Sequence, residues 1–76
     1  MRSWKRITLS PEVMGGKPCI RGTRVTVGTI LGLLAAGRSE AEILREYPYL
    51  TLEDLREALA YGAWRAQEQD VPIEHA

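Results

Sequence analysis

The sequence predicts a mainly α domain in which three helices form a helix-turn-helix arrangement behind a short N-terminal β-arm. Two observations lead to this fold class. At Val27 the apolar residues change from the β-branched run of a strand to the three- and four-residue spacing of a helix. Capping signals at Ser39 and Thr51 then divide the second half of the chain into separate helices.

The length and the cysteine content limit how such a domain is stabilised. The chain has 76 residues, enough for one domain over 1–76, with a basic β-arm and turns at 1–26, a helical region at 27–70 and a tail at 71–76. With one cysteine and one histidine, neither an internal disulfide nor a zinc cluster can form, and we expect no metal and no cofactor. We therefore expect a homodimer or higher oligomer to supplement the small core.

Glycines and prolines break the arm into short pieces. The segment "RITL" alternates weakly, as a short strand does, and Ser10-Pro11 is typical of the start of a helical turn. Gly15, Gly16 and Pro18 then interrupt the chain. The segment "CIRGTRVTV" predicts a second strand, with Gly22 as a turn or a bulge inside it.

Local signals define the three helices. The first begins at Val27 and ends at Gly37, which suits the position after a helix C-cap. The second follows the capping box "SEAE" and stops at Pro48, and the third follows Thr51. The predicted buried stripe of the third helix consists of Leu52, Leu55, Leu59, Gly62, Ala63 and Ala66, with Gly62 marking close contact with another element.

Charge is divided unevenly along the chain. Residues 1–24 hold six cations and one acid, for a net charge of +5, whereas residues 25–76 hold four cations and nine acids, for −5. This asymmetry has two interpretations of equal weight. Either the arm meets an anionic partner, or the two halves neutralise each other within the fold or across a dimer.

The glycine-rich segment "GGKPCIRGTR" does not have the spacing of an ATP-binding phosphate loop. Five residues separate Gly16 from Gly22, and Thr-Arg follows instead of Lys-Ser/Thr. Its glycines and proline are typical of a strand entry or hairpin, which leaves the side chains free to point at a polyanion. The candidate phosphate-contacting residues are Lys17, Arg21 and Arg24, helped by Arg2, Lys5 and Arg6.

The third helix begins with acids, which make a poor approach to DNA. Glu53, Asp54 and Glu57 suit the positive end of the helix dipole, and Arg56 is the one cation there that is placed to contact base edges. Of the two tryptophans, Trp64 lies beside the predicted buried stripe. Trp4 lies in a polar terminal segment, where we expect it to fall short of the core, and both tryptophans are candidates for contact with a partner or a second subunit.

Taken together, "GGKPCIRGTRVTV" and "LLAAGRSEAEILREYPYLTLEDLREALAYG" resemble the domain-of-unknown-function 433 family over residues 7–62. The resemblance implies a small homeodomain-like or winged-helix-like helix-turn-helix protein. Some members of that family are encoded beside PIN-like nuclease toxins and look like antitoxins of VapB type. The resemblance therefore implies a DNA-binding antitoxin or regulator.

Two functions remain. The favoured one is a DNA-binding antitoxin or transcriptional regulator of a toxin-antitoxin type operon. The alternative is a protein-protein module that binds and inhibits a PIN-like nuclease without contacting DNA. An enzyme is not expected, because His75 has no nearby nucleophile or second histidine and the carboxylates do not suggest a metal cluster. With no apolar run near the roughly 18 residues of a membrane span and no signal-peptide core, we expect a cytoplasmic protein.

Overall fold

A computed structural model describes residues 4–68 and has three helices behind two short strands, which confirms a mainly helical fold. Arg2 and the predicted tail lie outside the described residues. Across residues 4–68, no helix is both long and apolar enough to cross a bilayer. The elements are β1 (Ile7–Thr8), a 3-10 turn (Met14–Gly16), β2 (Cys19–Ile20), α1 (Val27–Ala35), α2 (Glu40–Glu46) and α3 (Leu52–Glu68).

The arm is a small antiparallel sheet. Ile7 of β1 is opposite Ile20 of β2, and Thr8 is opposite Cys19. The longer strand predicted from Cys19 to Val27 is wrong, because the chain turns sharply after Ile20. The Thr23 N–H donates to the Ile20 carbonyl at 3.0 Å, and Gly22 adopts a φ of +79°, so Gly22 belongs to a turn. A bridge from Cys19 to Thr26 then brings the chain back to the start of α1.

Helices α1 and α3 pack against each other, and α2 contacts both of them. The close contact predicted at Gly62 is confirmed, because a Cβ built there would lie 2.7 Å from Cδ1 of Leu31. The arm contributes to the same core, so the sheet is part of the domain's packing. The buried apolar residues of this cluster are Ile7, Ile20, Val25, Val27, Ile30, Ile43, Leu50, Leu55, Ala58 and Tyr61.

The buried face of α3 differs from the predicted stripe. Leu55, Ala58 and Tyr61 are buried, whereas Leu59 is 41% exposed and Ala63 and Ala66 are also exposed. Apolar residues cover more than one face of this helix, so their helical spacing alone does not select the buried one. Tertiary packing makes that selection, because α3 packs chiefly against α1, and Trp4 of the arm adds a ring contact with Tyr61.

The predicted end of α1 and the predicted start of α2 are confirmed in atomic detail, whereas the end predicted for the third helix at Asp70 lies outside the described residues. The hydroxyl of Ser39 accepts from the Glu42 N–H and the Glu42 carboxylate accepts from the Ser39 N–H, which closes the capping box. The bond from the Ser39 backbone holds the pKa of Glu42 below its ordinary value. At the end of α1, Gly37 has a φ of +93°, and the Arg38 N–H reaches back to the Leu33 carbonyl in a Schellman motif.

We predict that Gly37→Ala destabilises the domain by about 1 kcal/mol, because a Cβ is strained at positive φ. The matched control is Gly32→Ala inside α1, where an added Cβ meets no other atom within 4 Å and should stabilise by about 1 kcal/mol. Thermal melts should therefore shift in opposite directions, by roughly 4–8 °C each. Shifts of the same sign would show that the end of α1 is assigned wrongly.

Candidate nucleic-acid interface

The side chain of Arg21, a predicted phosphate ligand, turns onto its own chain. Its Nε donates to the Lys5 carbonyl at 2.7 Å, and its Nη2 donates to the carbonyls of Trp4 at 3.3 Å and Ile7 at 3.4 Å. These bonds satisfy backbone acceptors along the first strand of the arm. Arg21 therefore holds the arm in place. These bonds use Nε and Nη2 of its guanidinium, and they do not use Nη1.

Arg6 is also used within the fold. Its Nη1 lies 3.2 Å from Oδ1 of Asp54, and its backbone N–H donates to Oε2 of Glu57 at 2.7 Å. Asp54 is 8% exposed and also accepts from the Thr51 N–H, as the N-terminal capping signal predicted. Two of the acids at the start of α3 are thus engaged by the arm and the cap, and the charge of Arg6 is paired.

Trp4 does reach the chain's own core, contrary to expectation. Its ring lies 5.2 Å from the ring of Tyr61 and 5.8 Å from that of Trp64, in edge-on and tilted geometries that aromatic pairs favour. Tyr61 and Trp64 are far from Trp4 in the sequence, and the fold brings them together as the surface against which Trp4 packs. Both indoles are half-buried, so a contact with a partner or second subunit stays a prediction for each of them.

Strand pairing gathers four of the predicted cations at one end of the sheet. The Arg21 N–H donates to the Arg6 carbonyl at 2.7 Å, and the Ile20 N–H donates to the Val25 carbonyl, which places Arg24 across the turn from Arg21. We call Lys5, Arg6, Arg21 and Arg24 the basic end of the arm. The structure separates Lys17 from this group: it lies in a shallow depression with Thr26 and Thr29 at the start of α1.

The cations of the arm differ in what they contact. Throughout residues 4–68, the side chains of Lys5, Lys17 and Arg24 have no hydrogen-bond or ion-pair partner, whereas Arg6 has a carboxylate partner. Neutralisation inside the fold, one of the two interpretations of the charge asymmetry, therefore applies to Arg6 and not to Lys5, Lys17 or Arg24. The exposed charges of Lys5 and Arg24 leave the basic end suited to an anion from outside the chain.

A residue that the sequence analysis missed lies beside the basic end. Tyr49, in the turn between α2 and α3, lines an open cleft together with Arg21, Gly22, Thr23 and Arg24. The Tyr49 side chain is 63% exposed, and its ring meets that of Tyr47 edge-on at 6.3 Å. Tyr49 is far from Arg24 in sequence, so no local motif indicates that they share a cleft. The one local signal for Tyr49 as a site residue is that it is a large aromatic residue in a turn, where polar residues are more common.

Arg56 lies on the exposed side of α3 and does not line the cleft. Elsewhere on the helical half, Arg38 pairs with Glu42 at 3.9 Å and with Glu46 at 2.8 Å, so cations and acids there neutralise each other on the surface. The basic end of the arm and the Tyr49 turn thus form the candidate site.

Comparison with known proteins agrees with the resemblance in sequence. Residues 7–62 match the family described as "Protein of unknown function (DUF433)". The chain belongs to the DUF433 family. It is 42% identical over 56 residues to "Uncharacterized protein y4eO" of Sinorhizobium fredii, a match that covers 74% of this chain and 25% of that protein.

The fold also matches a solved structure of the family. The crystal structure of a DUF433 member protein from Anabaena variabilis aligns with a TM-score of 0.78 and 36% identity. The alignment covers 83% of this chain and 62% of that one, so this DUF433 chain spans a quarter of the y4eO protein and less than two thirds of the crystallised chain.

We predict that Asp54→Ala destabilises the domain by about 1–3 kcal/mol, because it removes the cap of α3 and the partner of Arg6. Urea unfolding would measure the change. The control is Glu53→Ala, an exposed acid in the same helical turn, which should cost no more than about 0.5 kcal/mol. Equal losses in the two variants would mean that the contact between Arg6 and Asp54 does not hold the arm.

Proposed function

We propose that this domain binds DNA through the basic end of its arm, as a DNA-binding antitoxin or transcriptional regulator of a toxin-antitoxin type operon. One observation carries the proposal: Lys5, two residues before β1, and Arg24, in the turn after β2, are exposed and have no carboxylate partner among the described residues. Cations exposed in that way can neutralise backbone phosphates without first breaking ion pairs of the fold.

The proposal also includes a helix-turn-helix arrangement of α1, α2 and α3. A short turn, residues 47–51, joins α2 to α3, and α1 packs across α3. The contact between Arg6 and Asp54 keeps the arm beside the first turn of α3, so arm and helix start lie on the same side of the domain. Phosphate contacts by the arm are favoured over base contacts by this helix, because its first turn is acidic.

The exposed side of α3 favours the second candidate function, a module that binds and inhibits a PIN-like nuclease. Leu59, Ala60, Ala63 and Ala66 are exposed there, and apolar groups at helical spacing are typical of a surface that packs against another protein. The acid Glu53 is exposed on the same helix and would suit a basic partner. The two functions are compatible in one antitoxin.

The DNA test is a titration with double-stranded DNA from the region upstream of the gene, at several salt concentrations. We expect Lys5→Ala plus Arg24→Ala to weaken binding to all sequences and to reduce the slope of log K against log salt by about 0.9 for each phosphate neutralised by the side chains removed. Arg21 is left intact in this variant, since its removal would free three carbonyls of the arm. Arg45→Ala, an exposed arginine of α2, is the matched control and should leave the slope unchanged.

Two results would contradict the proposal in different ways. Wild-type binding at low salt no tighter than that of an acidic control protein would remove the DNA function and favour the nuclease-binding module. Binding that is abolished in Arg56→Ala but kept in the Lys5 and Arg24 variant would assign the contact to α3 instead of the arm.

Self-association is a separate prediction. The described part of the chain exposes Leu9 at 60% and Leu59 at 41%, and no disulfide can form within the chain. We expect a homodimer or higher oligomer, because burying such groups between subunits would supplement a small core. Sedimentation over a range of micromolar concentrations would measure it, and a monomer throughout that range would contradict the prediction.

A further inference from the structure

The turn between α2 and α3 holds an aromatic ring outward on a rigid support. The Leu50 N–H donates to the Tyr47 carbonyl at 2.9 Å, which closes a β-turn with Pro48 and Tyr49 at its centre. Leu50 is 5% exposed and anchors one end of the turn in the core, while Pro48 restricts the backbone before Tyr49. Tyr49 nevertheless stays 63% exposed.

A second tyrosine lies against this ring. Tyr47 is half-buried against the core and meets Tyr49 at an interplanar angle of 80°. In this edge-on geometry, one ring presents its edge to the other and no parallel stack forms. Because Tyr49 is 63% exposed, its ring keeps enough open surface to receive another planar group.

The opposite wall of the cleft supplies positive charge and open space. Arg24 has no hydrogen-bond or ion-pair partner among residues 4–68, and Arg21 keeps its Nη1 outside the bonds that hold the arm. Gly22 has no side chain, and nothing lies within 4 Å of where its Cβ would be. A ligand suited to both walls is planar at one end and anionic a few ångströms away.

From this juxtaposition we infer that the cleft binds single-stranded DNA, with an unpaired base stacked on Tyr49 and an adjacent phosphate at Arg24. The inference rests on the proposed function and specifies its ligand further. In a duplex the base faces are covered by neighbouring bases, so the Tyr49 ring has no base to stack on. An unpaired base exposes its face, and stacking on an aromatic ring beside cations is the general mode of single-strand binding.

The hydroxyl proton of Thr23, in the same cleft, is already used within the chain. It donates to the Ile20 carbonyl at 2.8 Å and accepts from the Val25 N–H at 3.0 Å. It therefore has no free proton to offer to the 2′-hydroxyl by which proteins distinguish RNA from DNA. Stacking and phosphate contact account for the binding without a ribose hydroxyl, which is consistent with a DNA strand as the ligand.

The experiment compares wild type, Tyr49→Ala and Tyr49→Phe on a DNA strand of about twelve nucleotides, within the range of single-strand site sizes, and on its duplex. We expect Tyr49→Ala to weaken single-strand binding about ten-fold and to leave duplex binding within about two-fold. Tyr49→Phe should keep the single-strand affinity, because the ring supplies the stacking surface. Met14→Ala is the control, since Met14 is 41% exposed and lies outside the cleft.

Thermal melts of all four proteins would verify that each is folded before affinities are compared. Equal single-strand affinities for wild type and Tyr49→Ala, with duplex binding intact, would overturn this inference and leave the proposed DNA function standing. Weakened binding in both Tyr49→Ala and Tyr49→Phe would assign the effect to the hydroxyl and overturn the stacking. Tighter binding of an RNA strand of the same sequence would overturn the assignment to DNA, and failure of the wild type to bind any probe would overturn the proposed function itself.

Discussion

The attachment of the N-terminal arm to α3 is the interaction on which the rest of the structure depends. Arg6 meets Asp54 with its side chain and Glu57 with its backbone, and Trp4 packs on the aromatic residues one and two turns further along. Through β1 the same attachment positions β2, and through β2 it positions the turn that carries Arg24. Disruption of this attachment would therefore affect both the core and the candidate site.

This attachment changes the meaning of the charge asymmetry in the sequence. Arg6 and Arg21 have the same formal charge as Lys5 and Arg24, but they are used for holding carboxylates and carbonyls of the chain itself. Charges used in this way stabilise the arm and contribute less to the binding of an external anion. Two of these positive charges, on Arg6 and Arg21, thus stabilise the fold, and the other two, on Lys5 and Arg24, face the solvent.

The candidate site joins two turns from different halves of the domain. One brings cations from the arm, and the other brings the ring of Tyr49 from between α2 and α3. Neither turn alone would bind a nucleotide well, because one lacks a stacking surface and the other lacks charge. The match to the y4eO protein covers 25% of its length, so the segment similar to this chain is part of a longer protein there.

The sequence by itself determined the helix ends and the breaks between elements. The capping boxes at Ser39 and Thr51 and the glycine after α1 depend on atoms a few residues apart, so their geometry follows from local sequence. The resemblance to the DUF433 family over residues 7–62 likewise follows from the order of the residues alone. The six cations predicted at the arm are evident in the sequence, but their separate uses are not.

Only the tertiary structure decided which face of α3 is buried, which arginines are engaged and which residue completes the cleft. The apolar residues of α3 allow more than one buried stripe, and packing against α1, together with the Trp4 contact, buries the one that includes Tyr61. The partner of a long, flexible arginine depends on which carbonyl or carboxylate lies within reach in space, as for Arg21 and Arg6. Tyr49 and Arg24 come together because of chain packing, and no periodicity or local motif encodes a contact of that kind.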